Sequence, residues 1–337
     1  MISPTLQPRS MKNLWINSVD SLVLCYQGIL CILILMGNMP QDQKMTLIGY
    51  HAAFSLLLIL GLWMVRDNTH PVVRFFRETY LLVFILYFYK EIGCLVHLYN
   101  DWTMDEWLVG VDNALGRIGT SVWNLQQFYP PSPWLNEFFS IGYGFFFVLI
   151  PLSALVLYFR APREKFRGFL FTLGFTYFLC YITFIFLPAE SPRFYMPGLR
   201  ESLQGYWFAH WLQTAVEKNA FPGGSFPSSH IAASVITFMC YPYLKKWRIP
   251  VLFLTIAMFA GTIYGRYHYF VDVVAGLAVG LVCYHLGPWL EKKWPFIFSE
   301  EGMVRERTRQ TLNRGGKTDP KTRGFTDAEG KGIQDLG

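Results

Sequence analysis

Apolar residues in this chain gather in runs long enough to cross about 30 Å of hydrocarbon at about 1.5 Å per helical residue. Eight such runs lie near 21–38, 45–65, 80–99, 137–158, 167–187, 230–244, 250–267 and 269–289. They predict an all-α fold, a polytopic membrane bundle of about eight transmembrane helices with amphipathic segments on its outer face. Three regions follow: residues 1–20 as a cytoplasmic N-terminal segment, 21–298 as the membrane-embedded domain, and 299–337 as a tail. The tail is rich in Gly, Arg, Lys, Asp and Thr, and reads as disordered and cytoplasmic.

Two polar connections are too long to be simple links. Residues 101–135 interleave Trp102, Trp107, Trp123 and Trp134 with Asp101, Asp105, Glu106 and Asp112, as expected of pieces lying in the membrane interface over the helix ends. Residues 188–229 carry Pro/Gly-rich turns and an aromatic stretch, Tyr206, Trp207, Phe208, His210 and Trp211.

Composition agrees with the pattern. With 53% hydrophobic and only 15% charged residues, the chain is neither an ordinary soluble protein nor a disordered one. The net charge of +6 could suggest nucleic acid, but its distribution says otherwise. With the N-terminus inside, the inside connections hold Arg9 and Lys12; Arg66, Arg74 and Arg77; Arg160, Arg163, Lys165 and Arg167; and Lys245, Lys246 and Arg248. The longer outside connections hold only Lys44, Arg117, Arg193, Arg200 and Lys218, so the bias is 12 to 5. That asymmetry orients the bundle with both termini cytoplasmic, and nucleic-acid binding is discarded. The first apolar run has no small-residue cleavage site after it and reads as a retained helix. Six cysteines, Cys25, Cys31, Cys94, Cys180, Cys240 and Cys283, sit in apolar runs without C-x-x-C spacing, so they read as packing residues.

Three polar pieces stand out: P-A-E-S-P-R at 188–193, G-G-S-F-P-S-S-H at 223–230 and G-R-Y-H-Y-F-V-D at 265–272. In the eight-helix topology all three emerge on the outer face. His268 and Asp272 are four apart at a helix start, hence on one face, so Asp272 can accept a hydrogen bond from one imidazole nitrogen. The other nitrogen then points outward as a nucleophile or base. His230 opens another helix, after a turn of Gly223, Gly224, Pro227, Ser228 and Ser229 whose amides and hydroxyls can face an anion. A second histidine supplies the proton that a departing alkoxide requires. Arg193 offers a planar fork for phosphoryl oxygens. Taken singly, each has a plainer reading as an interfacial anchor or a polar helix start; together they do not.

P-S-x-H followed by H-x-x-x-D in a multispanning chain resembles the type 2 phosphatidic acid phosphatase superfamily. Its pattern is K-x6-R-P, then P-S-G-H, then S-R-x5-H-x3-D, and the match spans about residues 186–272. The resemblance implies that His268 becomes phosphohistidine, Asp272 orients it, His230 is the general acid, and Arg193 is the first-motif arginine. Four positions depart from the pattern. The order is P-R rather than R-P, Phe186 replaces the first lysine, Ser229 replaces the glycine of P-S-G-H, and Thr262 stands where the third motif has arginine, with Arg266 as a substitute phosphate binder. These losses, the G-T-I-Y…H-Y-F-V-D run at 261–272 and D-x-x-L-x-G-x-D at 105–112 resemble the inositolphosphotransferase branch, which includes inositol phosphorylceramide synthases.

What the resemblance implies is an enzyme that moves a phosphoryl or phospho-headgroup, inositol phosphate in that branch, from a phospholipid donor to a lipid alcohol. Water as acceptor would make it a phosphatase of phosphatidic acid or isoprenoid phosphates. No metal or other cofactor is called for. A membrane transporter is the reading from another class, but its polar groups would sit at the midplane rather than at one edge. Outside the three pieces, Lys90 and Glu91 read as snorkelling near the outer interface. His97, Asp101 and Asp105 read as an acceptor pocket or a solvated helix end. His51 and His285 read as interhelical hydrogen bonders.

Overall fold

The computed structural model describes residues 16–116, 132–195, 204–239 and 247–293. Asn17 starts the first helix, α1 (Ser18–Met36): its side chain accepts from the Val19 and Asp20 amides at 2.8 and 3.2 Å, and Asp20 returns the bond to the Asn17 amide at 2.7 Å. This reciprocal cap begins the helix three residues before the apolar run does. Next come α2 (Gln41–Val65) and α3 (Pro71–Ile92). The run at 80–99 placed the third helix too late. Pro71 fits the first helical turn, so the chain is already helical through Arg74, Arg77 and Glu78, whereas Gly93 to His97 form turns.

An amphipathic helix, α4 (Asp105–Gly116), follows on the polar connection. Then α5 (Pro133–Gly144) and α6 (Phe146–Arg160) meet at Phe145 and form one apolar stretch of 28 residues. After α7 (Arg163–Phe186) comes a four-residue turn of helix, α8 (Pro192–Tyr195), and a second interfacial helix, α9 (Trp207–Asn219). The last three are α10 (Ser229–Met239), α11 (Arg248–Tyr264) and α12 (Phe270–Lys293). Five stretches, α1, α2, α5 with α6, α7 and α12, are long and apolar enough to cross a membrane, and α10 and α11 are shorter apolar helices. The protein is therefore a polytopic helix bundle, with isolated bridges but no strand among the described residues.

At its centre stands α7, in contact with α1, α3, α6, α10 and α12. Its aromatic residues fill the core, where Phe178 stacks on Tyr26 of α1 at 4.0 Å and meets Phe88 of α3 edge-on at 5.6 Å. Large apolar side chains such as Leu57, Met64, Phe76 and Phe159 remain exposed, as a lipid-facing surface requires. At one end Asp20 is buried between Arg77 and Tyr80, at 2.5 and 2.7 Å, while Arg163 holds Glu78 and Arg167 lies 3.5 Å from Glu291. This charged end ties α1, α3, α7 and α12 together. The first and third motif pieces lie at the opposite ends of α7 and α12, and the second opens α10.

One close approach sets the position of the motif. A Cβ on Gly276 would stand 2.5 Å from the Ser228 carbonyl oxygen, and one on Gly280 would stand 2.8 Å from that of Ala232. Glycine on α12 thus lets α10 lie against it backbone to backbone, as in tightly crossing membrane helices. Some expectations concern residues outside those described: the 299–337 tail, most of the 1–20 segment, Cys240 and residues 117–131.

Candidate active site

The interfacial helix α4 fastens the motif pieces to one another. Asp105, fully buried, accepts from the amides of Glu190 and Ser191 at 2.8 and 3.2 Å and from the Tyr269 hydroxyl at 2.8 Å. One turn of the first piece is thereby tied to the residue after His268. Asp112 accepts from the amides of Phe270 and Val271 at 2.9 and 3.0 Å, so a side chain from α4 caps the N-terminus of α12. Burial pushes the Asp112 carboxyl above the usual range, against the pull of those two amides. The first and second pieces are joined through their backbones: Ala189 donates to the Gly223 carbonyl at 3.2 Å, and Ser225 donates to the Ala189 carbonyl at 3.0 Å. Ser191 and Arg266 both have positive φ, 96° and 62°, conformations that cost non-glycine residues of order 1–3 kcal/mol. They flank the bond from the Arg193 amide to the Arg266 carbonyl at 3.2 Å.

On this frame His268 lies buried, with Asp272 Oδ2 3.2 Å from Nδ1 and Ser228 Oγ 3.2 Å from Nε2. A carboxylate beside Nδ1 calls for the proton there, which leaves Nε2 the acceptor and Ser228 its donor. Asp272 Oδ2 is itself held by the Ser225 hydroxyl at 2.5 Å and the Tyr269 amide at 3.0 Å. Burial drives the His268 pKa down to about 4, opposed only by its bond to Ser225. The imidazole is therefore neutral near pH 7, with a lone pair at Nε2.

Across from it stands His230, its ring centroid 5.6 Å from that of His268. It is packed against Phe146, and the Tyr143 hydroxyl is 3.3 Å from its Nε2. Both histidines line a pocket together with Arg193, Tyr267 and Glu190. Arg193 is buried. One terminal nitrogen, Nη2, donates to Glu217 at 3.1 Å, and the guanidinium lies 5.4 Å over the Tyr267 ring. The other, Nη1, is buried with no hydrogen-bond partner among the described residues. A neutral imidazole, a second histidine and an unmatched guanidinium edge on one cavity can attack, protonate and hold a phosphorus centre.

Of the residues singled out in the sequence, the structure brings His268, His230 and Arg193 to the pocket wall, with Asp272 and Ser228 in contact with His268. Ser229 is buried and does not line the pocket. Neither does Arg266, whose backbone carbonyl holds Arg193 instead. Phe186, at the missing lysine position, stacks on Tyr99 at 5.2 Å. Asp105 takes no place in an acceptor pocket because its carboxylate is spent on Glu190, Ser191 and Tyr269. His97 and Asp101 lie exposed at a helix end.

Lys90 reaches out to the Asn219 carbonyl at 2.7 Å, but Glu91 does not snorkel; it turns inward to His51. His285 is exposed against Tyr284 rather than bonded between helices. Sequence reasoning passed over Ser225, Tyr143 and Glu217. Ser225 had a signal, as the one hydroxyl inside the G-G-S-F-P-S-S-H turn that was not weighed. Tyr143 lies far along the chain from any motif, and Glu217 lies on the helix before the second piece, outside its pattern.

A profile of the PAP2 superfamily matches residues 106–286, more than half of the chain. The chain therefore belongs to the PAP2 superfamily. A PA-phosphatase related-family protein of Dictyostelium discoideum is 36% identical over 115 residues, covering 32% of this chain and 21% of that protein. The chain thus matches about a fifth of the length of this curated relative. No solved structure matches it.

Proposed function

We propose that this protein transfers a phospho-headgroup, inositol phosphate, from a lipid donor to a lipid alcohol through a phosphohistidine. The observation that carries this is the meeting of His268, His230 and Arg193 on one pocket. The Nε2 lone pair attacks phosphorus and the bond to the diacylglycerol oxygen breaks. His230 gives that oxygen its proton, and Arg193 holds a phosphoryl oxygen. In the second half-reaction His230 takes the proton of the incoming alcohol, whose oxygen displaces His268 from phosphorus. Ser228 moves its hydrogen bond from Nε2 to the phosphoryl group as the nucleophile is used. Asp272, fixed by Ser225 and Tyr269, stabilises the imidazolium side of each step.

An alcohol rather than water as acceptor is supported by Phe186 and Thr262, which stand where the superfamily pattern carries cations. A singly charged diester needs fewer cations than a monoester dianion, by about 1–3 kcal/mol for each charged hydrogen bond lost. Trp207 and Trp211, exposed at 77% and 51% on α9, offer an apolar face for lipid chains, which would help exclude water from the intermediate. The second reading, hydrolysis of phosphatidic acid, is favoured by what the Dictyostelium relative is called.

Purified protein in detergent, given labelled phosphatidylinositol with a ceramide or diacylglycerol and, separately, phosphatidic acid, separates the two. Headgroup transfer to the lipid alcohol is expected. Efficient phosphate release from phosphatidic acid with no transfer returns the protein to the phosphatases. The 12-to-5 basic bias further supports an extracytoplasmic site with both termini inside. A cysteine added between 204 and 206 should then label from outside intact cells; labelling only after permeabilisation would reverse this orientation.

A further inference from the structure

Glu217 sits on the last turn of α9, outside every motif, yet its carboxylate accepts a hydrogen bond from Arg193 in the pocket wall. The pair is lopsided. The Arg193 side chain is 7% exposed and that of Glu217 is 54% exposed, so a buried guanidinium is half-neutralised by a carboxylate reaching in from solvent. That contact occupies Nη2, while Nη1 is buried without a hydrogen-bond partner among the described residues. Glu190 adds a second carboxylate to the same pocket.

We propose that Glu217 is a specificity-determining residue, which tunes the pocket to a singly charged phosphodiester and against a doubly charged monoester. This rests on the reading of Arg193 as the phosphate-binding arginine. A diester presents one negative charge spread over two free oxygens, and Nη1 can serve one of them while Glu217 keeps Nη2. A monoester dianion presents three oxygens and two charges. To use the whole guanidinium fork it must displace Glu217, and if Glu217 stays, the dianion faces a carboxylate at hydrogen-bond range of the same group. Discrimination built from a repulsive neighbour as well as an attractive one costs the preferred ligand little and the competitor more. Exposure lets Glu217 act this way: its own charge is solvated whether or not it touches Arg193, so the contact persists without trapping a buried carboxylate.

The test compares the wild type with Glu217→Gln, Glu217→Asp and, as a remote control at the opposite end of the bundle, Glu164→Gln. Binding of inorganic phosphate is measured directly at alkaline pH, where it is a dianion, and kcat and KM are measured for phosphatidic acid and for phosphatidylinositol. Replacing one charged partner of the guanidinium should tighten dianion binding about tenfold, and raise kcat/KM for the monoester relative to the diester by a similar factor, chiefly through KM. Glu217→Asp should restore most of the discrimination, and Glu164→Gln should leave the ratio where it was. An unchanged ratio and phosphate affinity in Glu217→Gln, or an equal change in Glu164→Gln, overturns the proposal. If no variant turns over either lipid, headgroup transfer itself fails, and phosphate binding still decides the role of Glu217.

Discussion

His268 with Asp272 and His51 with Glu91 are both buried histidine–carboxylate pairs, at 3.2 Å and 3.4 Å respectively. The first sits at a helix start between the ends of α7, α10 and α12, and the second lies inside the bundle where α1, α2 and α3 meet. His268 has a partner on each nitrogen, and the carboxylate oxygen it faces takes two further donors from Ser225 and Tyr269. His51 has Gln27 on Nδ1 at 2.5 Å, but Gln27 Nε2, His51 Nε2 and Glu91 Oε2 have no hydrogen-bond partner among the described residues. Above all, His268 opens on a cavity shared with a second histidine and an arginine, and His51 does not line it. A histidine beside a carboxylate is thus no mark of chemistry by itself. What separates the pairs is the convergence on one of them of an electrophile's other needs, a proton source, a counter-charge and a way in.

The comparison breaks most sharply on alanine substitution of the histidines. His268→Ala should lower kcat/KM by about 10³–10⁴-fold, because the atom that bonds phosphorus is gone. His51→Ala should leave it within a few-fold. His230→Ala should be as damaging as His268→Ala with a natural lipid. A donor with a low-pKa leaving group should recover part of the loss in His230→Ala alone, since that group departs without a proton. Equal recovery in both variants, or equal damage from His51→Ala, would erase the distinction drawn between the two regions.

The inner pair should show itself in stability instead. Glu91→Ala removes the carboxylate 3.4 Å from His51 Nε2 and its packing where three helices meet, and should destabilise the detergent-solubilised protein by about 1–3 kcal/mol. Per-molecule turnover of the surviving folded fraction should hold. Denaturation monitored beside activity would distinguish them, and a loss of turnover at unchanged stability would move Glu91 into the catalytic region.

Most of the bundle was legible in the sequence because transmembrane helices need length and apolarity, and α1, α2, α7 and α12 have both. The third helix was misplaced because its first turns carry Arg74, Arg77 and Glu78 at the charged end, where hydropathy drops while helix geometry continues. In the site, His268 and Asp272 were legible from their four-residue spacing, although His268 stands in the turn just before α12 rather than on its face, and His230 and Arg193 from the pieces that carry them. Tyr143, Glu217, and the use of Asp105 and Asp112 as clamps were not. Each acts across more than 20 residues of chain, and no local spacing encodes that. The inward turn of Glu91 escaped for the same reason: its partner, His51, lies on another helix.

Those clamps supply a smaller effect that sharpens what makes the outer pair a site. Asp112→Ala removes the side chain that takes the Phe270 and Val271 amides, a cap whose loss costs about 1 kcal/mol. His268 and Asp272 flank those residues, so their alignment should suffer with the cap and kcat should fall about tenfold, with KM little changed. Amide hydrogen exchange at the start of α12 should quicken in parallel. Faster exchange with full kcat would show that α4 steadies the helix without placing the histidine.

The gentlest probe is pH, and its sign follows from burial. An exposed histidine titrates near 6.5, whereas His268 is pushed down to about 4 by burial, with Asp272 at 3.2 Å and Glu190, His230, Arg193 and Tyr267 on the same pocket wall. Between these values the unfolded chain takes up a proton that the folded one refuses. Stability is therefore intact above about pH 6.5 and erodes as pH falls towards 4, by at most about 1.4 kcal/mol per unit. Over the same interval Nε2 keeps its lone pair, so kcat/KM should show no loss centred near 6.5 from this residue, and its acid limb should lie closer to 4. His268→Gln cannot take up that proton in either state, so its stability should depend less on pH across that window than the wild type's. Parallel stability profiles for the two proteins, or an acid limb in wild-type kcat/KM centred near 6.5, would mean that His268 is solvated like any surface histidine and that the contrast with a closed, buried nucleophile does not hold.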